Sequence, residues 1–144
     1  MSDKEFRRTT ENPFPASLPD HLTASAFVSG EPAWRQGDCT EVITWLSGNG
    51  YAVLGWELWL VTNGAIRTIM NTKSGGALYC NSCDPLPNES WSEYVQRSAR
   101  LAEENVASFR WPEDSTENPD TAAYFNLTWA DRGWFRSRGE FQDC

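Results

Sequence analysis

Histidine is almost absent from this chain, with His21 the only one in 144 residues, and it stands in a Pro-rich stretch near the amino terminus. A histidine general base would have to come from that stretch, which counts against hydrolase chemistry. There is no Gly-x-Ser-x-Gly elbow, phosphate-binding glycine loop or His-Glu-x-x-His pair to nominate a nucleophile, a nucleotide site or a catalytic zinc. The sequence therefore implies no enzyme, no cofactor and no small-molecule substrate. Apolar runs are short: none approaches the ~20 residues of a membrane span. Met1-Ser-Asp-Lys-Glu-Phe-Arg-Arg8 carries charge with no apolar h-region behind it, so a soluble, cytoplasmic protein is expected and no membrane partner. Basic residues are also scarce, 12 against 20 acidic, for a formal net charge of −8. That balance opposes binding to nucleic acid and favours cationic partners. Cysteine is limited to Cys39, Cys80, Cys83 and Cys144, which are expected as reduced thiols in a chain without a secretory signal.

What the chain has in excess is tryptophan. Eight in a sequence of this size place several at the rim of a core or on a contact surface, because Trp is seldom fully buried. The length and the 40% hydrophobic content fit one ordinary domain with a real core.

The most structured segment is Tyr51-Ala-Val-Leu-Gly-Trp-Glu-Leu-Trp-Leu-Val61. Apolar side chains fall on both faces of its pleat around a single carboxylate, Glu57, so it reads as a strand near the middle of a sheet. Asn63-Gly64 then supplies the two positive-φ positions of a type I′ turn, and Ala65–Met70 returns with Ile66, Thr68 and Met70 on one face. Residues 1–23, with Pro13, Pro15 and Pro19, form an extended arm that packs as a strap through Phe14 and Leu18 or stays loose. Residues 24–144 form the domain. Asp38-Cys-Thr-Glu41 has the spacing of a capping box and opens a helix carrying Val42, Trp45 and Leu46, which Gly48-Asn49-Gly50 stops. Leu78-Tyr-Cys80 is a short edge strand. Ser90-Trp-Ser-Glu93 is a second capping box, and Tyr94, Val95, Ser98, Leu101, Ala102, Asn105, Val106 and Phe109 recur at helical spacing behind it. Glu93, Arg97, Arg100 and Glu104 lie on that helix's opposite face. The acidic loop 112–120 leads into a last strand whose Ala123, Phe125, Leu127 and Trp129 share a face. The result is an α/β (α+β) single domain, a four- to five-stranded mixed or antiparallel sheet packed against two helices.

Two spots invite a chemical reading. Cys80-Asn-Ser-Cys83 could supply half of a zinc site or a redox pair, but Cys39, His21 and Cys144 offer no second short-spaced pair, so inert thiols are the plainer reading and the metal-binding or redox domain the alternative. Glu57 in its apolar strand could act as an acid or base; the duller account has it facing an open side or pairing with Arg67 across the hairpin. Trp56, Trp59 and Trp91 could stack on sugars, although scattered Trp is more often core.

Four stretches together resemble a known family. Gly30-Glu-Pro-Ala-Trp34 leading into the first helix, Ala52-Val-Leu-Gly55 opening the strand, Trp91-x-x-Tyr94-Val95 with Ser98 and Ala102, and Tyr124-Phe125-x-Leu127 resemble bacterial polymorphic-toxin immunity proteins of the immunity protein 40 family. Gly55-Trp56-Glu57 stands where that pattern has Gly-Gly-Asp. The resemblance implies a small α/β protein that binds a cognate toxin, such as a basic nuclease, and blocks it stoichiometrically without catalysis. Acids would steer that encounter and aromatics anchor it. The candidate toxin-binding residues are Glu113, Asp114, Glu117 and Asp120 of the acidic loop, joined by Glu57 and Asp84.

Overall fold

The computed structural model describes residues 13–68, 80–111 and 118–137. Its elements are α1 (Asp20–Ala24), β1 (Phe27–Ser29), β2 (Glu31–Trp34), α2 (Gln36–Gly48), β3 (Ala52–Thr62), β4 (Ala65–Arg67), β5 (Cys80–Ser82), α3 (Trp91–Ala107), β6 (Ala122–Ala130) and α4 (Arg132–Ser137). The strands make one antiparallel sheet in the order β1-β2-β6-β3-β4, with β5 also on β3. The α+β single domain expected from the sequence is present, with six strands rather than four or five. The additional pair is the β1–β2 hairpin, which turns at Gly30 with φ +74° and pairs Val28 with Pro32. Pro32 hides it from sequence reading, since proline cannot donate to a ladder and marks a run as an edge or a break.

β3 lies in the middle, as its two apolar faces predict. One edge pairs with β6 from Ala52 to Val61. The other is shared: β4 covers Leu60–Thr62 after the turn at Asn63 (φ 51°) and Gly64 (φ 81°), and β5 covers Gly55–Glu57. Of the expected edge strand 78–80 only Cys80 is described, and it opens β5; Leu78, Tyr79 and Met70 lie outside the described residues.

The inner face of the sheet packs on α2 and α3. Val42, Ile43 and Leu46 of α2, with Ala99, Ala102 and Val106 of α3, bury Val53, Leu58, Leu60, Phe125 and Leu127. In α3 the capping box forms as predicted: the Glu93 amide donates to Ser90 Oγ and the Ser90 amide to Glu93 Oε1, at 3.2 and 2.9 Å. In α2 it does not. The N-cap is Arg35, without a side-chain cap, and Asp38 sits in the first turn. β2 runs straight into this helix, so the first helical bond, Cys39 N–H to Arg35 O at 2.7 Å, forms where strand pairing ends. Asp38 still favours the helix there, through the macrodipole.

The Pro-rich arm is not wholly extended. Pro19 opens the one-turn α1, which buries Leu22, because proline is tolerated where helix amides lack partners anyway. Leu18 is buried, Phe14 packs on the core, and Trp34 donates its indole N–H to Leu22 O at 2.7 Å. The strap through Phe14 and Leu18 is therefore present. No helix among the described residues is long and apolar enough to cross a membrane.

Candidate functional site

The outer face of the sheet carries the candidate site. A register shift between Val53 and Gly55 resets the alternation of β3, so Leu58 and Leu60 point to the helices while Glu57, Trp59 and Val61 point outward. Toward β4 the outward residues Ala33, Trp59 and Val61 cluster with Phe27, Ile66 and Tyr124, none of them from a helix. Toward β5 the face opens into a cleft of about 430 Å³. Gly55 makes that geometry possible, since a Cβ there would meet the Asn81 carbonyl oxygen at 2.7 Å. A larger residue would push β5 off the strand.

The cleft lies between β3, β5, β6 and the turn after β5, with Glu57, Asp84, Asn81, Asn126, Tyr94 and Trp134 around it. Among the described residues no lysine, arginine or histidine lines it. Glu57 is half-buried, and its Oε1 accepts the Trp59 indole N–H at 2.9 Å. Its register partner on β6 is Asn126, 7% exposed, whose Nδ2 donates to Pro32 O at 2.9 Å. A short segment of β6 thus ties the cleft floor to β2.

The turn bearing Asp84 is clamped by α3. Arg97 holds Glu89 through Nε to Oε2 at 2.7 Å and a terminal nitrogen to Oε1 at 2.8 Å, and also donates to Asp84 O at 2.7 Å. Its guanidinium lies 5.7 Å from the Tyr94 ring centroid, and the Tyr94 hydroxyl donates to Cys83 O at 2.5 Å. Fixing the Asp84 backbone leaves its side chain to face the cleft. The Arg97 hydrogen bond and charge hold the Glu89 carboxyl below the usual carboxylate range, against the opposing effect of burial. Burial pushes the Cys83 thiol and the Tyr94 phenol up.

Of the residues nominated from the sequence, Glu57 and Asp84 meet in the cleft. Asp120 is exposed but stands beside the Val61–Ala122 pairing, at the other end of β3, roughly 20 Å of extended chain from Gly55. Glu113, Asp114 and Glu117 lie outside the described residues. Glu57 does face the open side, but not toward Arg67, which is in register with Leu60. Cys80 is exposed on β5 while Cys83 and Cys39 are buried, and none of the three is in a disulfide. The described residues contain no group of three or more His, Cys, Asp or Glu able to hold a metal. Trp59 and Trp91 are each 7% exposed and belong to the core.

Asn126, Arg97 and Trp134 were not nominated. Asn126 carries a readable signal, a polar residue inside the apolar run Tyr124–Trp129. Arg97 reads as part of a solvated helix face, because its partner Glu89 lies before the helix rather than at helical spacing from it.

A family model described as immunity protein 40 matches residues 23–128, well over half of the chain. No curated protein and no solved structure matches.

Proposed function

The chain belongs to the immunity protein 40 family, a family of toxin immunity proteins, and from that premise we propose that it blocks a co-encoded, cytoplasm-acting toxin by one-to-one binding through the outer face of its sheet, with no catalysis of its own. The observation that carries this reading is the cleft: two carboxylates, Glu57 and Asp84, with no basic residue along its described lining. On a protein of net charge −8 such a face attracts a basic partner from a distance. Next to it Phe27 and Tyr124 stand half-buried over the buried Trp59, and aromatic residues of this kind anchor interfaces once water is expelled. Asp120, with Glu113, Asp114 and Glu117 beside it in sequence, forms a second acidic contact at the far end of the same sheet. A basic effector such as a nuclease fits this distribution of charge.

The test is co-expression with the toxin domain encoded beside this chain. Growth should be restored, and the purified complex should show one copy of each chain by light scattering. Unrestored growth would refute the reading, and so would protection without a stable complex.

A further inference from the structure

We propose that the cleft is a socket for one arginine side chain of the partner, gripped between Glu57 on β3 and Asn126 on β6. This deepens the reading above and rests on it. The argument starts from hydrogen-bond satisfaction. Asn126 is 7% exposed, and its Nδ2 is committed to Pro32 O. Only the amide nitrogen can donate to a carbonyl, so the orientation of this amide is fixed and Oδ1 is the atom left over. Among the described residues Oδ1 has no donor. An acceptor this buried is normally satisfied, and an unsatisfied one costs stability until a donor arrives.

Its register partner has the same need. Glu57 Oε1 takes the Trp59 indole N–H, which leaves Oε2 without a donor among the described residues. The Asp84 carboxylate at the rim is in the same position. Asn81, by contrast, is satisfied on both sides: its Nδ2 donates to Asn105 Oδ1 and its Oδ1 accepts the Ser82 amide, each at 2.9 Å. The unmet demand in the cleft is therefore for donors, and it is partly anionic.

A guanidinium matches that demand better than the other cations. It has five N–H donors in one plane and no acceptor. Directly opposed residues on paired strands have Cβ atoms about 5 Å apart, so the two edges of one planar group can serve both. The cleft also has an aromatic wall, the half-buried Trp134 stacked on the buried Tyr94 with ring centroids 6.5 Å apart, against which a weakly hydrated guanidinium is more stable than an ammonium. A hard divalent ion would want about six oxygen ligands in a closed shell, and the acceptors left over here come from only three side chains.

The experiment is an NMR titration of the intact ¹⁵N-labelled protein with N-acetyl-arginine amide, in parallel with N-acetyl-lysine amide and calcium chloride. The arginine probe should move the Glu57 and Asn126 amides and the Trp59 indole N–H saturably, with a dissociation constant on the order of 1–10 mM. The lysine probe should bind at least about three-fold more weakly. Glu57→Gln keeps an oxygen for the Trp59 indole, so the fold should be retained, yet arginine affinity should fall about five- to ten-fold. Asp84→Asn, on an exposed turn, should weaken it by about two-fold. Equal binding of lysine and arginine, saturation by calcium at lower concentration, or no response at these three positions would each overturn the socket. Growth protection separates this result from the broader reading: a chain that protects but ignores the arginine probe loses only the socket. A chain that binds the probe and does not protect keeps the socket and loses the toxin.

Discussion

Arg97 holds both carboxylate oxygens of Glu89, a residue only 9% exposed that lies eight positions earlier, before the helix begins. The pair joins α3 to the turn that carries Asp84, and so connects the packing of the helix layer to the shape of the outer cleft. Glu89 Oε1 also accepts the Leu86 amide at 2.9 Å, which makes the carboxylate the centre of the turn.

Removing the cation should leave a buried carboxylate with only the Leu86 amide to compensate it. Arg97→Met is expected to cost roughly 2–3 kcal/mol, less than a fully buried pair because the arginine is partly exposed. Arg97→Lys should recover only a part, since an ammonium cannot engage two oxygens and Asp84 O in one plane. Urea midpoints measure both. A change below about 0.5 kcal/mol for Arg97→Met would mean that the pair contributes no more than an exposed surface one.

The same pair sets an acid limb. Glu89 is held below its ordinary value of 4.5, so the unfolded chain takes up this proton at a higher pH than the folded one. Its contribution is fully present above 4.5 and is lost as pH falls from there through the depressed folded value. Glu89→Gln should therefore lower stability at neutral pH and flatten the dependence below 4.5. An unchanged acid slope in that variant would assign the limb to other carboxylates.

Gly55→Ala tests how β5 is seated. The new methyl would lie 2.7 Å from the Asn81 backbone oxygen, which cannot rotate away as a side chain could. A cost of about 1–3 kcal/mol is expected, with faster amide exchange in Cys80–Ser82 than in β6. Uniform loss of protection would show instead that β5 unfolds only with the whole domain.

The thiols should divide by position. Cys80 is exposed and should react with a thiol reagent in the native protein, while Cys39 should react only on unfolding. Burial, with a smaller effect of Asp38, pushes the Cys39 thiol well up from 9.0. The unfolded thiol ionises first as pH rises, so stability from this site is present below 9.0 and declines above it. Cys80→Ser should leave the melting temperature unchanged. Cys83→Ser should lower it modestly, because Cys83 is buried and its Sγ lies 3.2 Å from an Arg97 nitrogen. Slow labelling of Cys80 at native conditions would contradict the exposure.

Much of this architecture is legible in the residues, and what is not has identifiable physical causes. The two-faced apolar run marks β3 as central because its own composition demands cover on both sides, while Asn63-Gly64 fixes its hairpin and Ser90 with Glu93 starts α3 through contacts a few residues apart. The cleft depends on longer reach. Asn126 meets Pro32 across 94 positions, and Gly55 meets Asn81 only because β5 returns to the free edge of β3. The bulge after Val53 also cannot be read from alternation, since both faces of this strand are apolar. Glu57 and Asp84 could be nominated as acids from sequence, but their convergence needed the fold.

The last prediction separates the two acidic ends of the sheet. Charges that steer an encounter change the association rate and its salt dependence, whereas a group inserted into a pocket changes dissociation when truncated. Reversing Asp120 with Glu113, Asp114 and Glu117 to Lys should slow toxin association about ten-fold at low salt and leave dissociation nearly unchanged. Reversing Glu57 and Asp84 should in addition speed dissociation, because both line the cleft. Surface plasmon resonance at two salt concentrations measures both rates. If the loop variant alone abolishes protection while the cleft variant behaves as wild type, the binding face lies around Asp120, and the toxin docks at the far end of the sheet.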